Sequence, residues 1–366
     1  MYLKSIAPFL LLTSPVLSNP TPGKDKDCDI TVKPGQSIQS AIDSAKPGSK
    51  IVVQAGTYHE QITITTSNIH LVGQGAVLYP PKGGYKPNFC TGLSKTFEKP
   101  QGDDSDTDAG ICIYGKGFEL GPYVRANLHK KISKTGKYIE GVKVTGFEIH
   151  DFNGEAIALI GGKDASIKHN KLVDNGQYGF LTVGSYSTLA QDNIVTASVL
   201  GFIALCMDDA KGAMFKKNNI SNHYIALCTQ TNGGLVEDNT AKDCCYGPFV
   251  DPGIVGAKII GNTISGRNKI CPEAPPVGPG AGIAILGAKD TLVEKNLVEK
   301  WQVNNMGFGL LVADDPITGA KAQGNTFRKN EFRQNDLDIL ADGVAAANKF
   351  DKNVCKTSLP GGLCGN

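Results

Sequence analysis

Short apolar runs recur along the chain at spacings of roughly two dozen residues, each closed by glycine or polar turn residues. From residue 139 onward the runs stack by eye. They are 156–160, 179–183, 201–205, 223–227, 247–251, 282–286, 309–313 and 336–340. Each is about five residues long, which suits a strand and is too short for a packed helix. Recurrence at one spacing predicts a coil of parallel strands rather than a sandwich. By the two-residue period of a strand, the second and fourth member of each run should point into the core.

An asparagine precedes most runs: Asn170, Asn193, Asn219, Asn239, Asn262, Asn296 and Asn325. Asparagine tolerates a left-handed turn, and stacked side-chain amides can hydrogen-bond from one coil to the next. Asn219-Ile220-Ser221 is also a glycosylation sequon, although an amide held in such a stack would be a poor acceptor. Cys206 and Cys228 fall at matching places after Ala-Leu, where neighbouring coils allow either a disulfide or two stacked thiols.

The third position of each run should face outward, yet it holds Leu181, Ile203, Ile225, Phe249, Ala284 and Leu311. Water does not tolerate so long an apolar column. A loop should cover it, or an apolar ligand or partner should meet it. The long polar stretch 80–138 breaks the period and is the natural cover, and the proline-rich stretch 267–281 reads as a second loop leaving the coil.

At the start, Gln36 to Ala45 places Ile38, Ala41, Ile42 and Ala45 on one helical face, and Pro47-Gly48 ends it. Short strands follow at Ile51-Val52-Val53, Ile62-Thr63-Ile64 and Ile69-His70-Leu71-Val72-Gly73. With Ser37-Ile38-Gln39-Ser40-Ala41-Ile42 and Gly56-Thr57-Tyr58, this segment resembles the opening of the pectin-lyase-like superfamily. The resemblance implies an all-β protein, a single-stranded right-handed parallel β-helix whose short N-terminal helix caps the first coil. It also implies ligand contact on an outer face, because the interior is packed with side chains.

The same pattern runs almost end to end through 366 residues, which favours one β-helix domain over 28–366. Residues 1–18 read as a secretory signal peptide: Lys4, an apolar stretch from Ile6 to Leu12, and small residues before Asn19. Residues 19–27 are a linker. Ten cysteines agree with a secreted, extracellular protein. Cys355 and Cys364 are candidates to close the C-terminal loop, Cys90 and Cys112 to tie down the long insertion, and Cys271 to pair with Cys244 or Cys245. The formal net charge of +2 gives no reason to expect nucleic acid, and no later segment is apolar enough for membrane insertion. A polysaccharide or other extracellular ligand is the expected partner.

Polar groups fall at or just past several strand ends. Asp208, Asp209, Lys211, Tyr246 and Asp251 are the candidate catalytic residues. Proton abstraction beside a carboxylate needs a base, a cation or donor for the enolate, and an acid for the leaving oxygen. Two coils separate Asp208 from Asp251, so both could face one ligand. His223, Asp314, Asp315 and Arg125 are the candidate substrate-binding residues. Paired aspartates would also suit calcium, although no metal is required by the pattern. Lys130 and Lys131 lie beside Arg125 in the insertion and could reach a carboxylate, although solvent exposure is the simpler reading.

Tyr246-Gly247-Pro248-Phe249-Val250-Asp251-Pro252 loosely resembles the Tyr-containing Asp-Pro-His signature of alginate epimerases, with two residues inserted and Gly253 in place of the histidine. The Gly-His-Gly and Asn-Thr-Asp motifs of polygalacturonases are missing, as is the Gly-Tyr-Gln-Asp-Thr of pectin esterases. The resemblance therefore implies a fold and leaves the activity open. A polysaccharide lyase or epimerase acting on uronic-acid glycans leads. A non-catalytic glycan-binding or cell-wall protein and an enzyme or binder for a small apolar compound are the alternatives.

Overall fold

The computed structural model describes residues 29–96, 104–271, 280–304 and 306–365. The signal peptide and linker lie outside the described residues, as does most of the proline-rich loop. The chain winds as a parallel β-solenoid with three ladders of strands, one on each side of every coil. The first ladder stacks Ile51, Leu71, Val144, Ile167, Ala190 and Phe215, continuing through Val236, Ile259, Val293 and Phe327 to Phe350. The second runs from Tyr58 and Leu78 through Ile149, Leu172, Val195, Ile220, Ala241, Ile264 and Val298 to Phe332. The third carries the strand runs seen in the sequence. Inward residues of all three meet in one continuous apolar core.

The helix Ile38–Ser44 is the one α-helix among the described residues. Ser37 caps it by accepting from Ser40 N–H, and Glu60 reaches over to accept from the Ile38 and Gln39 N–H groups. Ile38 and Ile42 are buried in the core, as the sequence pattern requires. No helix among the described residues is long and apolar enough to cross a membrane.

Three sequence expectations need correction. The asparagine column exists, but its members are Asn170, Asn193, Asn218, Asn239, Asn262, Asn296, Asn330 and Asn353. Asn219 stands one residue outside it and is exposed, so its sequon is accessible. Asn325 belongs to a separate pair with Asn348. The left-handed residue is the one before each ladder asparagine, for example His169, Asp192, Lys217 and Asp238, with φ of 54–56°.

The second correction is one of register. Phe180 pairs with Leu205 and not with Phe202, and Leu181 pairs with Cys206. Ile203 and Ile225 therefore join Tyr178 and Tyr246 in a neighbouring column. The shift arises at an irregularity between Thr196 and Gly201, where one long strand, Ile194–Asp208, turns a corner without a break. Phe202 and Tyr224, expected inside, lie on the outer side, whereas Cys206 and Cys228 do stack and are free and buried.

Third, residues 80–138 are two excursions rather than one. Between them Ile111–Tyr114 forms a rung of the third ladder, pairing with Ile62–Ile64 and Ile157–Ile160. Cys90–Cys112 fastens the first excursion to that rung, Cys245–Cys271 fastens the second loop, and Cys355–Cys364 closes the C-terminal turn. The excursions supply Cys90, Leu93 and Ala109, with Leu128 and Ile132 beside them, to a second apolar cluster outside the solenoid. That cluster covers Ala158, Leu181, Cys206 and Cys228. Leu181, Ile203 and Ile225 of the outward column are thus buried, at the usual hydrophobic gain for area removed from water, while Phe249 and Leu311 at its far end are half-buried.

Glu155 lies at this seam, fully buried, accepting one hydrogen bond from Ser94 Oγ at 2.6 Å. Burial pushes its carboxyl up to about 7, against the lowering effect of Ser94. A carboxyl whose folded value lies above its unfolded one stabilises the fold most at low pH. The stability it confers is present below about pH 4 and is lost as pH rises toward 7, a change on the order of 3 kcal/mol. Glu155→Gln keeps the shape without the charge. Urea unfolding at pH 5 and pH 8 should show the variant gaining on the wild type at the higher pH. An equal difference at both pH values would contradict the assignment.

Candidate active site

The end of the third ladder places Asp208, Gln230 and Asp251 in one column. Each follows directly on a registered trio, Met207, Thr229 and Val250. Two rungs at ~4.8 Å put the Asp208 and Asp251 Cα atoms about 10 Å apart. Together with Lys131, Asp315 and the apolar Ile254 and Ile317, they line a cavity of about 320 Å³.

The second excursion delivers Lys131. Its neighbour Ile132 sits over Gly184, where a Cβ atom would come within 2.4 Å of the Ile132 side chain. A glycine floor is therefore required for the excursion to seat at this depth. Lys131 Nζ then donates to Asp208 Oδ2 at 3.0 Å and to Gln230 Oε1. Gln230 in turn hydrogen-bonds the Asp251 carboxyl.

His129 is fully buried behind Asp208. Its Nε2 lies 3.1 Å from Asp208 Oδ2 and its Nδ1 lies 3.2 Å from the Tyr178 hydroxyl. Burial pushes the imidazole pKa down, although its bond to Asp208 pulls the other way. A neutral ring satisfies both neighbours in one tautomer: Nε2–H donates to Asp208 and Nδ1 accepts from the Tyr178 O–H.

The two carboxyls are pushed in opposite directions. Burial would raise that of Asp208, but the His129 hydrogen bond and the Lys131 charge outweigh it and hold the group below its usual value. Burial dominates at Asp251 and pushes it up to about 7, against Lys131 and Gln230, with the charges of Asp208 and Asp315 adding to the rise. At slightly acidic pH the first is an anion and the second carries a proton. Such a divergence is how two like side chains acquire opposite roles in acid–base chemistry.

Of the sequence candidates, Asp208, Asp251 and Asp315 converge here. Arg125 lies in the adjoining turn Arg125–Asn127, its guanidinium 3.8 Å from Asp104, while Ala126 and Asn127 form part of the cavity wall. The others lie elsewhere. Asp209 is buried, accepting from Thr182 Oγ1 at 2.6 Å and Ser185 N–H at 3.1 Å, which makes it a brace between coils. Lys211 is exposed on the following turn, bridged through its backbone to Tyr186. Tyr246 is buried in an edge-to-face row with Tyr224 and Phe249. His223 is buried against Gly201 and donates to Ser221 C=O at 2.7 Å. Asp314 accepts from Lys321 Nζ at 2.7 Å and Ala322 N–H at 2.9 Å, and so fixes a turn.

His129, Gln230 and Tyr178 were not singled out from the sequence as members of one site, and Lys131, noted as able to reach a carboxylate, was assigned to solvent. The insertion has no period, so nothing in it tells which residue will reach which rung. A charged residue two positions from a histidine, Lys131 after His129, was the one available signal. Among the described residues no group of three or more His, Cys, Asp or Glu converges as a metal site.

Residues 203–358 match the family model described as a right handed beta helix region. No curated protein matches the chain by sequence. Among solved structures, the polygalacturonase from Erwinia carotovora ssp. carotovora is similar at a TM-score of 0.56 and 11% identity, over 93% of this chain and 96% of that one. XylC in complex with xylose gives 0.54 at 11% identity, over 84% and 69%. DFA-IIIase from Arthrobacter chlorophenolicus A6 without its lid gives 0.51 at 14% identity, over 87% and 91%. At such identities these proteins share the architecture, and the side chains of the cavity must speak for the chemistry.

Proposed function

We propose that this chain, a right-handed parallel β-helix of the pectin-lyase-like superfamily, is a glycoside hydrolase that works by inversion on a glycan uncharged at the scissile bond. The observation that carries the reading is the column of an ionised Asp208 and a protonated Asp251, two rungs apart across one cavity. Inverting glycosidases hold their carboxyls about 6.5–9.5 Å apart to admit a water, whereas retaining enzymes bring them to about 5–5.5 Å. Rung spacing with modest side-chain lean fits the wider class. The similar folds include XylC bound to xylose, which supports a saccharide as the ligand.

In the proposed step the Asp208 carboxylate takes a proton from water. The water oxygen bonds to the anomeric carbon. As the glycosidic C–O bond breaks, its electron pair stays with the leaving oxygen, which receives the Asp251 proton. Lys131 and Gln230 hold the two carboxyls in register, and His129 with Tyr178 orients Asp208. Ile254 and Ile317 offer apolar surface to a sugar ring.

Cleavage next to a uronate carboxylate is the weaker reading. A lyase or epimerase needs a cation to meet that carboxylate, and Lys131 already donates to Asp208 and Gln230. The cavity also brings Asp208 and Asp315 against any anionic ring. Secretion is part of the proposal, on the strength of three disulfides. In a eukaryotic secretory route the exposed Asn219 would be open to glycosylation.

Incubation with neutral glycans, pectate and alginate tests the reading. New reducing ends from a neutral glycan are expected. Unsaturated ends from pectate or alginate would replace it with the lyase reading, and no product from any glycan would leave a binding protein. With the cleaved glycan in hand, kcat/KM should fall as pH rises through about 7, because Asp251 loses its proton there. Activity that climbs through pH 7 would remove Asp251 as the acid.

A further inference from the structure

A second cavity, of about 460 Å³, lies at the other end of the insertion, between its base and the turn after the helix. Lys46, Lys116 and Lys137 border it, with Thr66, Ser67 and Tyr138, and no aspartate or glutamate lines it. The lysines are exposed. Nearby lysines are matched to acids, Lys163 to Glu140 at 3.3 Å and Lys134 to Glu119 at 2.6 Å.

Lys116 and Lys137 face each other across an isolated antiparallel bridge, with Lys137 N–H donating to Lys116 C=O at 2.7 Å. Like charges directly opposite one another on paired strands are destabilising. The backbone nevertheless fixes this crossing. A Cβ atom on Gly115 would lie 2.4 Å from Lys137 O, and one on Gly136 would lie 2.2 Å from Lys116 O. Two glycines thus allow the strands to approach this closely, and both lysines border the same cavity. A bound anion would turn that repulsion into attraction.

Donors other than lysine also face this space. Ser67 Oγ accepts from Glu140 N–H at 3.0 Å, which leaves its own O–H to donate. The cavity has the size of a small-molecule pocket, far more than one free sulfate fills. Tyr138 gives it an aromatic wall.

We infer that this cavity binds a glycan-borne oxyanion, a sulfate or carboxylate on a saccharide ring, between Lys116 and Lys137. The inference stands apart from the Asp208–Asp251 reading, since it concerns binding at a separate cavity. The acid-rich cleft and the acid-free cavity would select for different parts of a ligand.

Calorimetric titration of the full chain with a sulfated oligosaccharide, its desulfated counterpart and inorganic sulfate tests it. Saturable binding of the sulfated sugar is expected, weakened by added salt and about tenfold tighter than that of the desulfated sugar. The double variant Lys116→Gln, Lys137→Gln should lose about tenfold or more, whereas Lys258→Gln, on an exposed strand position elsewhere, should stay within about twofold. Unchanged binding by the double variant, equal binding of the desulfated sugar, or no saturable binding would overturn the site. Sulfate alone binding as tightly as the sugar would overturn the glycan assignment. Hydrolysis of a neutral glycan should be the same in the double variant, so failure here is distinguishable from failure of the proposed catalytic pair.

Discussion

Asp251→Asn and Asp208→Asn are each expected to lower kcat by about 10²–10⁴ while KM moves little. The two substitutions act on different halves of the step. Asparagine at 251 cannot give up a proton to the leaving oxygen, and asparagine at 208 cannot take one from water. The Asp251 variant should fold at least as well as the parent above pH 7. Burial already disfavours the charged carboxylate there, and Asn removes that charge. The Asp208 variant keeps an amide oxygen to accept but loses the negative charge that His129 and Lys131 meet, so some stability should go with it. Lys211→Met, on the exposed turn, is the matched control and should keep full activity. Steady-state kinetics beside urea midpoints separates a chemical loss from a folding loss. An Asp251→Asn enzyme with near wild-type kcat would remove the acid from the scheme.

Asn239→Ala should cost on the order of 3–5 kcal/mol, and Asn219→Ala, on the preceding coil, less than about 0.5 kcal/mol. Asn239 is buried in the middle of the ladder. Its amide donates to Phe215 C=O at 2.9 Å and Asn262 Oδ1 at 3.0 Å, and its oxygen accepts from the Asn218 backbone and side chain, both at 2.9 Å. Truncation strands donors and acceptors on both neighbouring coils, each without water to replace the lost partner. Asn219 is exposed and serves the fold through its backbone. Denaturant midpoints of the two variants check this. Equal losses would mean that the ladder asparagines are spacers and do not carry the stacking.

These two contrasts also mark how much can be read from the sequence. The solenoid, its core and the covered outer column follow from periodicity, because every coil repeats the same inward and outward choice. The asparagine ladder was recognisable, yet Asn218-Asn219 offers two candidates side by side and only the backbone decides which turns in. The slip at 201–205 has a similar origin. Gly201 imitates Gly179 in sequence, but the corner between Thr196 and Gly201 carries extra residues, so Leu205 meets Phe180.

The site was half legible. Asp208 and Asp251 follow strand ends two coils apart, and counting coils was enough to bring them together. Asp209 and Tyr246 looked equally suitable because sequence does not tell whether a polar group beside a strand end faces a cavity or a neighbouring coil. His129 and Lys131 come from an aperiodic insertion. Their reach depends on Ile132 finding Gly184, a tertiary fit with no local signature.

The most direct test of the paired carboxyls is proton NMR of the first sugar released during cleavage, before mutarotation mixes the anomers. An inverting pair predicts that the product first appears with the anomeric configuration opposite to that of the bond cut. A product that first appears with the configuration of the substrate, or one carrying a double bond, would contradict water attack driven by Asp208 and Asp251.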